Sequence, residues 1–83
     1  MAISVRVLAF ARLRDIVGFS ERVLDVAPGA TLDDVWNAVA GAHPALVPLR
    51  ASTRFARNGV VTDGSIAVAA GDEIALLPPV GGG

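Results

Sequence analysis

The stretch GDEIALLPPVGGG, residues 71–83, joins a turn, a strand and a glycine-rich tail, and it strongly restricts the fold. Its opening glycine and aspartate are typical of a turn, and the apolar run behind them predicts a strand over residues 73–77. Pro78 and Pro79 cannot donate hydrogen bonds to a strand ladder, so they end the strand and hold the tail away from the body. The glycines that follow Val80 have no Cβ, which would let the tail enter a narrow channel on another protein.

The sequence that precedes this segment predicts a small α+β domain. Apolar alternation indicates strands over residues 3–10 and 21–26. Apolar residues at helical spacing indicate a short helix over residues 11–18. A longer amphipathic helix is expected to begin at a capping box formed by Thr31 and Asp34.

The chain beyond that helix predicts further strands. We expect a loop or a short irregular turn over residues 45–53. A hairpin should follow, because Asn58-Gly59 is the favoured pair for a type I′ turn. The order of strand, helix, strand, helix and more strands suits one mixed sheet with helices packed on one face. We therefore expect a single domain over residues 1–77 and a flexible tail over residues 78–83.

The composition is apolar for a domain of 83 residues, with 53% hydrophobic and 18% charged residues and a mean hydropathy of +0.59. So small a domain cannot bury all of these side chains, which suggests an exposed patch that binds a partner. A chain that is simply rich in alanine and valine would show the same composition. Leu8 and Phe10 favour the patch, because they place apolar groups on the polar face of the first strand.

Charge and residue usage argue against several classes of protein. The net charge of −1 disfavours a nucleic-acid partner, and the absence of cysteine excludes disulfides and thiolate chemistry. The N-terminal sequence does not resemble a signal peptide, and no apolar run approaches the roughly 20 residues that cross a bilayer. We therefore expect a cytoplasmic protein that binds neither nucleic acid nor membrane.

Side chains suited to catalysis are few. His43 is the single histidine and has no companion that could complete a metal site, so none is predicted. Asp33 and Asp34 are explained by capping and the dipole of the second helix, and Asp72-Glu73 by a turn. No phosphate-binding loop is present, and the chain contains no lysine.

Four arginines could form a surface that faces a partner, although a solvated surface is the favoured interpretation. They are Arg12, Arg14, Arg54 and Arg57. A different candidate for chemistry is the main-chain carboxylate of Gly83. A carboxylate can be activated by adenylation, and a rigid exit with a slender tip would suit an enzyme that threads the tail towards its ATP.

Three segments in this order resemble the small subunits of molybdopterin synthase, a family of ubiquitin-like sulfur carriers with the β-grasp fold. The segments are FARLRDIVG (10–18), the Asn58-Gly59 pair and the GDE turn with its PP-x-x-GG tail (71–83). The resemblance spans the chain. It implies that the last glycine, here Gly83, is adenylated and then converted to a thiocarboxylate.

The resemblance also implies that partner proteins carry the catalytic side chains. Whether this chain is itself an enzyme is therefore left open. An adenylyltransferase similar to ubiquitin-activating enzymes would use ATP and magnesium, and a persulfide protein would donate the sulfur. The tail that carries the thiocarboxylate would then insert into the large subunit of the synthase, in an expected heterotetramer. Two carriers would there supply the sulfurs that convert cyclic pyranopterin monophosphate to molybdopterin. No permanently bound cofactor is implied.

Positions in this chain match those that contact partners in the family. The tail positions are Pro78, Pro79, Val80, Gly81 and Gly82, and the body positions are Phe10, Arg14, Val61 and Leu77. The competing interpretation places the side chains of Phe10 and Leu77 in the core. Gly81 and Val61 depart from the family's usual residues, which are Ser, Thr or Ala at the first and a larger side chain at the second.

Other functions share these features. A sulfur carrier for cysteine, thiamine or tRNA thiolation would have the same fold and tail. A protein modifier would form isopeptide bonds through Gly83, and a β-grasp interaction module would use the tail for no chemistry. Extension of the C-terminus by one bulky residue should abolish the activity of a carrier and leave a module unaffected.

Overall fold

The computed structural model describes residues 1–79, which form one five-stranded mixed sheet with helices on one face. In chain order the elements are β1 (Ile3–Ala9), α1 (Ala11–Val17), β2 (Glu21–Val26), α2 (Leu32–Ala42), a 3-10 helix (Pro44–Ser52), β3 (Arg54–Arg57), β4 (Val60–Thr62) and β5 (Glu73–Leu77). The strand order is β2-β1-β5-β3-β4, with β1 and β5 parallel at the centre and the other pairs antiparallel. The predicted α+β mixed sheet of the β-grasp type is confirmed.

Local capping and turn signals fix the boundaries of these elements. The Thr31 hydroxyl accepts a hydrogen bond from Asp34 N at 3.2 Å, and the Asp34 carboxylate accepts one from Thr31 N at 2.9 Å, so α2 begins at the predicted capping box. Asn58 and Gly59 have φ angles of 50° and 85°, the left-handed pair that a type I′ turn requires. The hairpin between β3 and β4 is therefore confirmed.

The core lies between the sheet and the helices. Alternate residues of β1 point into it, with Val5, Val7 and Ala9 at most 2% exposed. Trp36 of α2 is 3% exposed and packs against Phe55 of β3, with ring centroids 6.1 Å apart. One face of the sheet thus packs against the helices, and the opposite face is not covered by them.

Two predicted boundaries differ from the structure. The stretch 45–53, expected to be a loop or a short irregular turn, lies largely within the 3-10 helix, which begins with Pro44 at its first position and buries Leu46. Proline is favoured at a helix start because its missing amide hydrogen would have no partner there. The first strand ends at Ala9 rather than at residue 10, because Phe10 is the N-cap of α1. No helix among residues 1–79 is long and apolar enough to cross a membrane.

Candidate functional site

The face of the sheet turned away from the helices carries a continuous row of small and apolar side chains, which we call the apolar row. The strand register aligns Leu8 with Ala75, Ala75 with Ala56, and Ala56 with Val61, across four neighbouring strands. Val61 at the sheet edge is 57% exposed, whereas Ala56 in the middle is covered by its neighbours. An exposed apolar surface on the open side of a small domain is suited to binding another protein.

Phe10 and Leu77 extend this surface towards the point where the tail leaves the domain. Phe10 follows β1 in an extended conformation, so the two-residue period places it on the same side as Leu8, and it is 44% exposed. Leu77, two residues after Ala75 on β5, is half-buried. The structure therefore places Phe10, Val61 and Leu77 on one face, and the competing interpretation that Phe10 lies in the core is wrong.

The other end of this face is charged. Arg6 pairs with Glu73 at 2.6 Å and with Glu21 at 3.5 Å, and the Ser4 hydroxyl donates to Asp25 at 2.7 Å. These contacts join neighbouring strands, and their exposed ion pairs contribute little stability. They border the apolar row with charges that already have partners.

Asp72 directly precedes β5 and holds the start of that strand in place. Its carboxylate accepts hydrogen bonds from Ala69 N at 2.7 Å, Asn58 Nδ2 at 3.0 Å and Arg57 Nε at 2.7 Å. Burial disfavours its charged form, yet these donors outweigh burial and hold the pKa of Asp72 below its ordinary value. The turn interpretation of Asp72 was correct but incomplete, because sequence alone did not indicate the bonds to the hairpin.

The tail leaves the domain beside a small pocket. Pro78 is half-buried and Pro79 is exposed, and both line a cavity of about 260 Å³ between the start of α1 and the end of the 3-10 helix. Arg12 lies at this cavity, and Arg54 faces Leu77 across the β3–β5 register. Arg14 is exposed, and helical geometry places it on the flank of α1 opposite Arg12.

The four arginines do not form one patch. Arg57 is engaged by Asp72, whereas Arg12, Arg14 and Arg54 make no ion pair within residues 1–79. The expected capping role of Asp34 is confirmed, and Asp33 also pairs with Arg50 at 2.6 Å.

The described part of the chain contains no group of three side chains able to hold a metal ion. His43 caps the end of α2 and packs edge-on against Phe19, with ring centroids 6.4 Å apart. These observations leave the surface around Leu77 and the tail as the candidate site. Its predicted tail residues Val80, Gly81, Gly82 and Gly83 lie outside the described residues.

Sequence reasoning missed part of this site. Leu8 stood out as off-pattern, but Ala56 and Ala75 join it only through pairing between distant strands. The pocket is not predicted, because its wall includes Ser52 and Thr53, which the sequence pattern places in a loop. The proline at residue 44 was the available signal for that helix.

Comparisons with known proteins agree with this architecture. A match to the ThiS family covers residues 7–83. The molybdopterin synthase sulfur carrier subunit of Chlamydomonas reinhardtii is 35% identical over 81 residues, which cover 95% of this chain and 98% of that protein. Small archaeal modifier protein 1 of Haloferax volcanii is 40% identical over 82 residues, covering 89% and 94% of the two chains.

A solved structure supports the same conclusion. The crystal structure of SAMP1 from Haloferax volcanii superposes with a TM-score of 0.84 at 38% identity, over 96% of this chain and 99% of that chain. The fold, the full-length match and the sequence identity are mutually consistent. The chain belongs to the ThiS family of ubiquitin-like sulfur carriers.

Proposed function

We propose that this chain is the sulfur-carrying small subunit of a molybdopterin synthase, and that the carboxylate of Gly83 is its reactive group. The observation that carries the proposal is the full-length similarity to a molybdopterin synthase sulfur carrier subunit, 35% identical over 98% of that protein. The exit of the chain through Pro78 and Pro79, next to an open apolar face, supports a tail presented to other proteins. We propose that the protein acts in the cytoplasm.

The proposed activation begins at a carboxylate oxygen of Gly83. That oxygen attacks the α-phosphorus of ATP on an adenylyltransferase, pyrophosphate leaves with magnesium, and an acyl-adenylate forms. The terminal sulfur of a donor persulfide then attacks the acyl carbon and AMP leaves. A second thiol on the donor side reduces the resulting acyl disulfide, is itself oxidised to a disulfide, and releases the thiocarboxylate.

The role of this chain in that sequence is to bind and to present the tail. Among residues 1–79 there is no metal-binding cluster, and the strongly hydrogen-bonded carboxylate of Asp72 is committed to structure. We therefore assign the catalytic side chains to the partners: the adenylyltransferase, the sulfur donor and the large synthase subunit. The large subunit would take one sulfur from each of two carriers, in a heterotetramer, to make the dithiolene from cyclic pyranopterin monophosphate.

A genetic experiment tests this pathway. In a strain that lacks its own small subunit, the intact chain should restore molybdenum cofactor synthesis, measured as the activity of a molybdoenzyme. A variant lacking Gly82 and Gly83 should not restore it, and neither should a chain extended by one tryptophan after Gly83. Restoration by either variant would exclude chemistry at the terminal carboxylate of Gly83.

A second candidate is a protein modifier, favoured by the 40% identity to small archaeal modifier protein 1. The same acyl-adenylate would then be attacked by a lysine of a target, giving an isopeptide bond to Gly83. The chain has no lysine, so such conjugates could not grow into chains linked through its own side chains. This function would be favoured if proteins in a lysate gained the mass of one copy of this chain at each modified lysine. The variant lacking Gly82 and Gly83 should form no such conjugates.

A further inference from the structure

Two arginines, Arg12 and Arg54, lie near the point where the tail leaves the domain. Six of the seven arginines fall within residues 1–14 and 44–62, and neither range contains an aspartate or a glutamate. The strand running into the tail, over residues 74–79, contains no acidic side chain either. Arg6 and Arg57 lie at the opposite end of β5, where they pair with Glu73 and Asp72, so only part of this positive charge is near the tail.

Three of these six arginines have carboxylate partners among residues 1–79, and the two nearest the tail have none there. Arg6, Arg50 and Arg57 each pair with a carboxylate from another segment, at 2.6 or 2.7 Å. Arg12 and Arg54 have no ion pair with any of residues 1–79. No carboxylate of the described part of the chain therefore neutralises these two guanidinium groups, at the place where the chain leaves the fold.

These two arginines lie on either side of the tail root, Arg12 at the pocket and Arg54 on the open face of the sheet beside Leu77. Arg12 lines the pocket directly, while Arg54 follows the lining residue Thr53 and pairs in register with Leu77, which precedes the lining residue Pro78. The other lining residues are mainly apolar, and none carries a carboxylate. The pocket thus combines an apolar interior with positive charge on its border.

The size of the pocket selects the kind of occupant. At about 260 Å³ it lies below the roughly 300–1,000 Å³ of small-molecule sites. It can take one bulky apolar side chain, the type of anchor that dominates many protein interfaces. The lining residues Ala11 and Pro78 directly follow Phe10 and Leu77 in the chain, so a protein that covers the apolar surface at those two residues would also come close to the pocket.

We propose that this pocket is a second docking point for the adenylating partner: an apolar side chain of the partner fills the pocket, and adjacent carboxylates pair with Arg12 and Arg54. The inference rests on the proposed function in one respect, that an adenylating enzyme acts on the tail. The segment of the partner that binds here should therefore contain an apolar residue with acidic residues beside it. Binding on both sides of the tail root would fix the direction in which the tail enters the enzyme.

The test measures binding separately from chemistry. The full chain and its variants are titrated by calorimetry, without ATP, into the purified adenylating enzyme of the same organism, and ATP–pyrophosphate exchange is then measured on the same samples. Arg12→Glu and Arg54→Glu should each weaken binding about tenfold and raise KM with little change in kcat. Arg22→Glu is the matched control, because Arg22 is an exposed arginine on β2 that lies over the Phe19 ring.

A second pair of variants tests the pocket without altering charge. Ser52→Phe should fill the cavity from its exposed edge and weaken binding, whereas Ser52→Ala should bind like the wild type. Ser52→Ala also controls for the lost hydrogen bond from the Ser52 hydroxyl to Leu49 O, 3.1 Å long. Thermal melting of every variant establishes that weaker binding is not unfolding.

The outcomes are distinguishable. Equal binding by Arg12→Glu, Arg54→Glu and Arg22→Glu, or no binding by the wild type, would overturn the docking proposal even where exchange shows that the tail is adenylated. Tighter binding by Arg12→Glu would overturn it in favour of the chain's own terminal carboxylate as the occupant. Normal binding without exchange would count against adenylation of Gly83 and leave the docking surface supported.

Discussion

The guanidinium of Arg57 and the carboxylate of Asp72 meet at 2.7 Å, and this contact ties the β3–β4 hairpin to the turn that begins β5. Asn58 strengthens the connection, because its amide donates to Asp72 while its side-chain oxygen accepts from Glu73 N at 2.9 Å. The strand that delivers the tail is thereby held at its first residue by side chains and at its edges by β1 and β3. Such a fixed origin would suit the proposed presentation of the tail to partner proteins.

Removal of the Asp72 carboxylate should destabilise the fold. Asp72→Ala leaves three donors without their acceptor in a site where the residue is only 6% exposed. We expect the free energy of unfolding to fall by about 2 kcal/mol, measured by urea denaturation. Asp15→Ala, at an exposed position of α1, should change it by less than about 0.5 kcal/mol. Equal losses in the two variants would contradict this role.

Stability should depend on pH through the same carboxylate. Burial raises the pKa of Asp72, but hydrogen bonds from Ala69, Asn58 and Arg57 lower it by more. The pKa of Asp72 in the folded protein is therefore below its ordinary value of 3.8. The folded protein thus binds this proton more weakly than the unfolded chain. The resulting stability is fully present well above pH 3.8 and is lost as pH falls through the folded-state pKa.

The free energy of unfolding should therefore decline as the pH is lowered from about 5 towards 2. Asp72→Asn should show a shallower decline than the wild type. Asp63, whose pKa is lowered by the hydrogen bonds from the Ser65 side chain and backbone, should account for part of the remaining slope. Parallel curves for the wild type and Asp72→Asn would show that the proton on Asp72 is not linked to folding.

The apolar row should bind the large synthase subunit. Val61→Asp would bury a carboxylate without a partner at that interface, so we expect binding at least about tenfold weaker, measured by calorimetry. Val61 is exposed in the free chain, and the free energy of unfolding should change by less than about 1 kcal/mol.

Val47→Asp supplies the matched control for this surface. Val47 is 62% exposed, compared with 57% for Val61, but it lies on the 3-10 helix, in the helical layer behind the sheet. Its substitution should leave binding unchanged. Equal weakening by both variants would mean that added negative charge, and not the apolar row, governs the interaction.

Features encoded by neighbouring residues could be predicted from the sequence. Gly18 ends α1 in a left-handed conformation with φ of 79°, and Thr31 with Asp34 begins α2, because caps depend on contacts within one helical turn. The Asn58-Gly59 turn is local in the same sense. Phe10 was flagged by strand alternation, another short-range pattern.

Features that depend on distant pairing could not be predicted. The apolar row exists because β1 pairs in parallel with β5, which sets Leu8 beside Ala75 across 67 positions of the chain. Ala56 joins them only through the β3–β5 register. Likewise, the absence of an ion pair between Arg12 or Arg54 and any of residues 1–79 depends on where the carboxylates of those residues lie in the fold. Residue type and spacing do not contain that information.

The most direct test of the central claim is a fragmentation mass spectrum of this chain after incubation with ATP, magnesium, the adenylating enzyme and a sulfur donor. We predict that one oxygen of Gly83 is replaced by sulfur, and that a thiol-selective alkylator traps it, since no cysteine competes. Fragmentation separates this change from oxidation of Met1, the single methionine, which has nearly the same mass. An unmodified Gly83, with an enzyme shown to activate another carrier, would contradict the account.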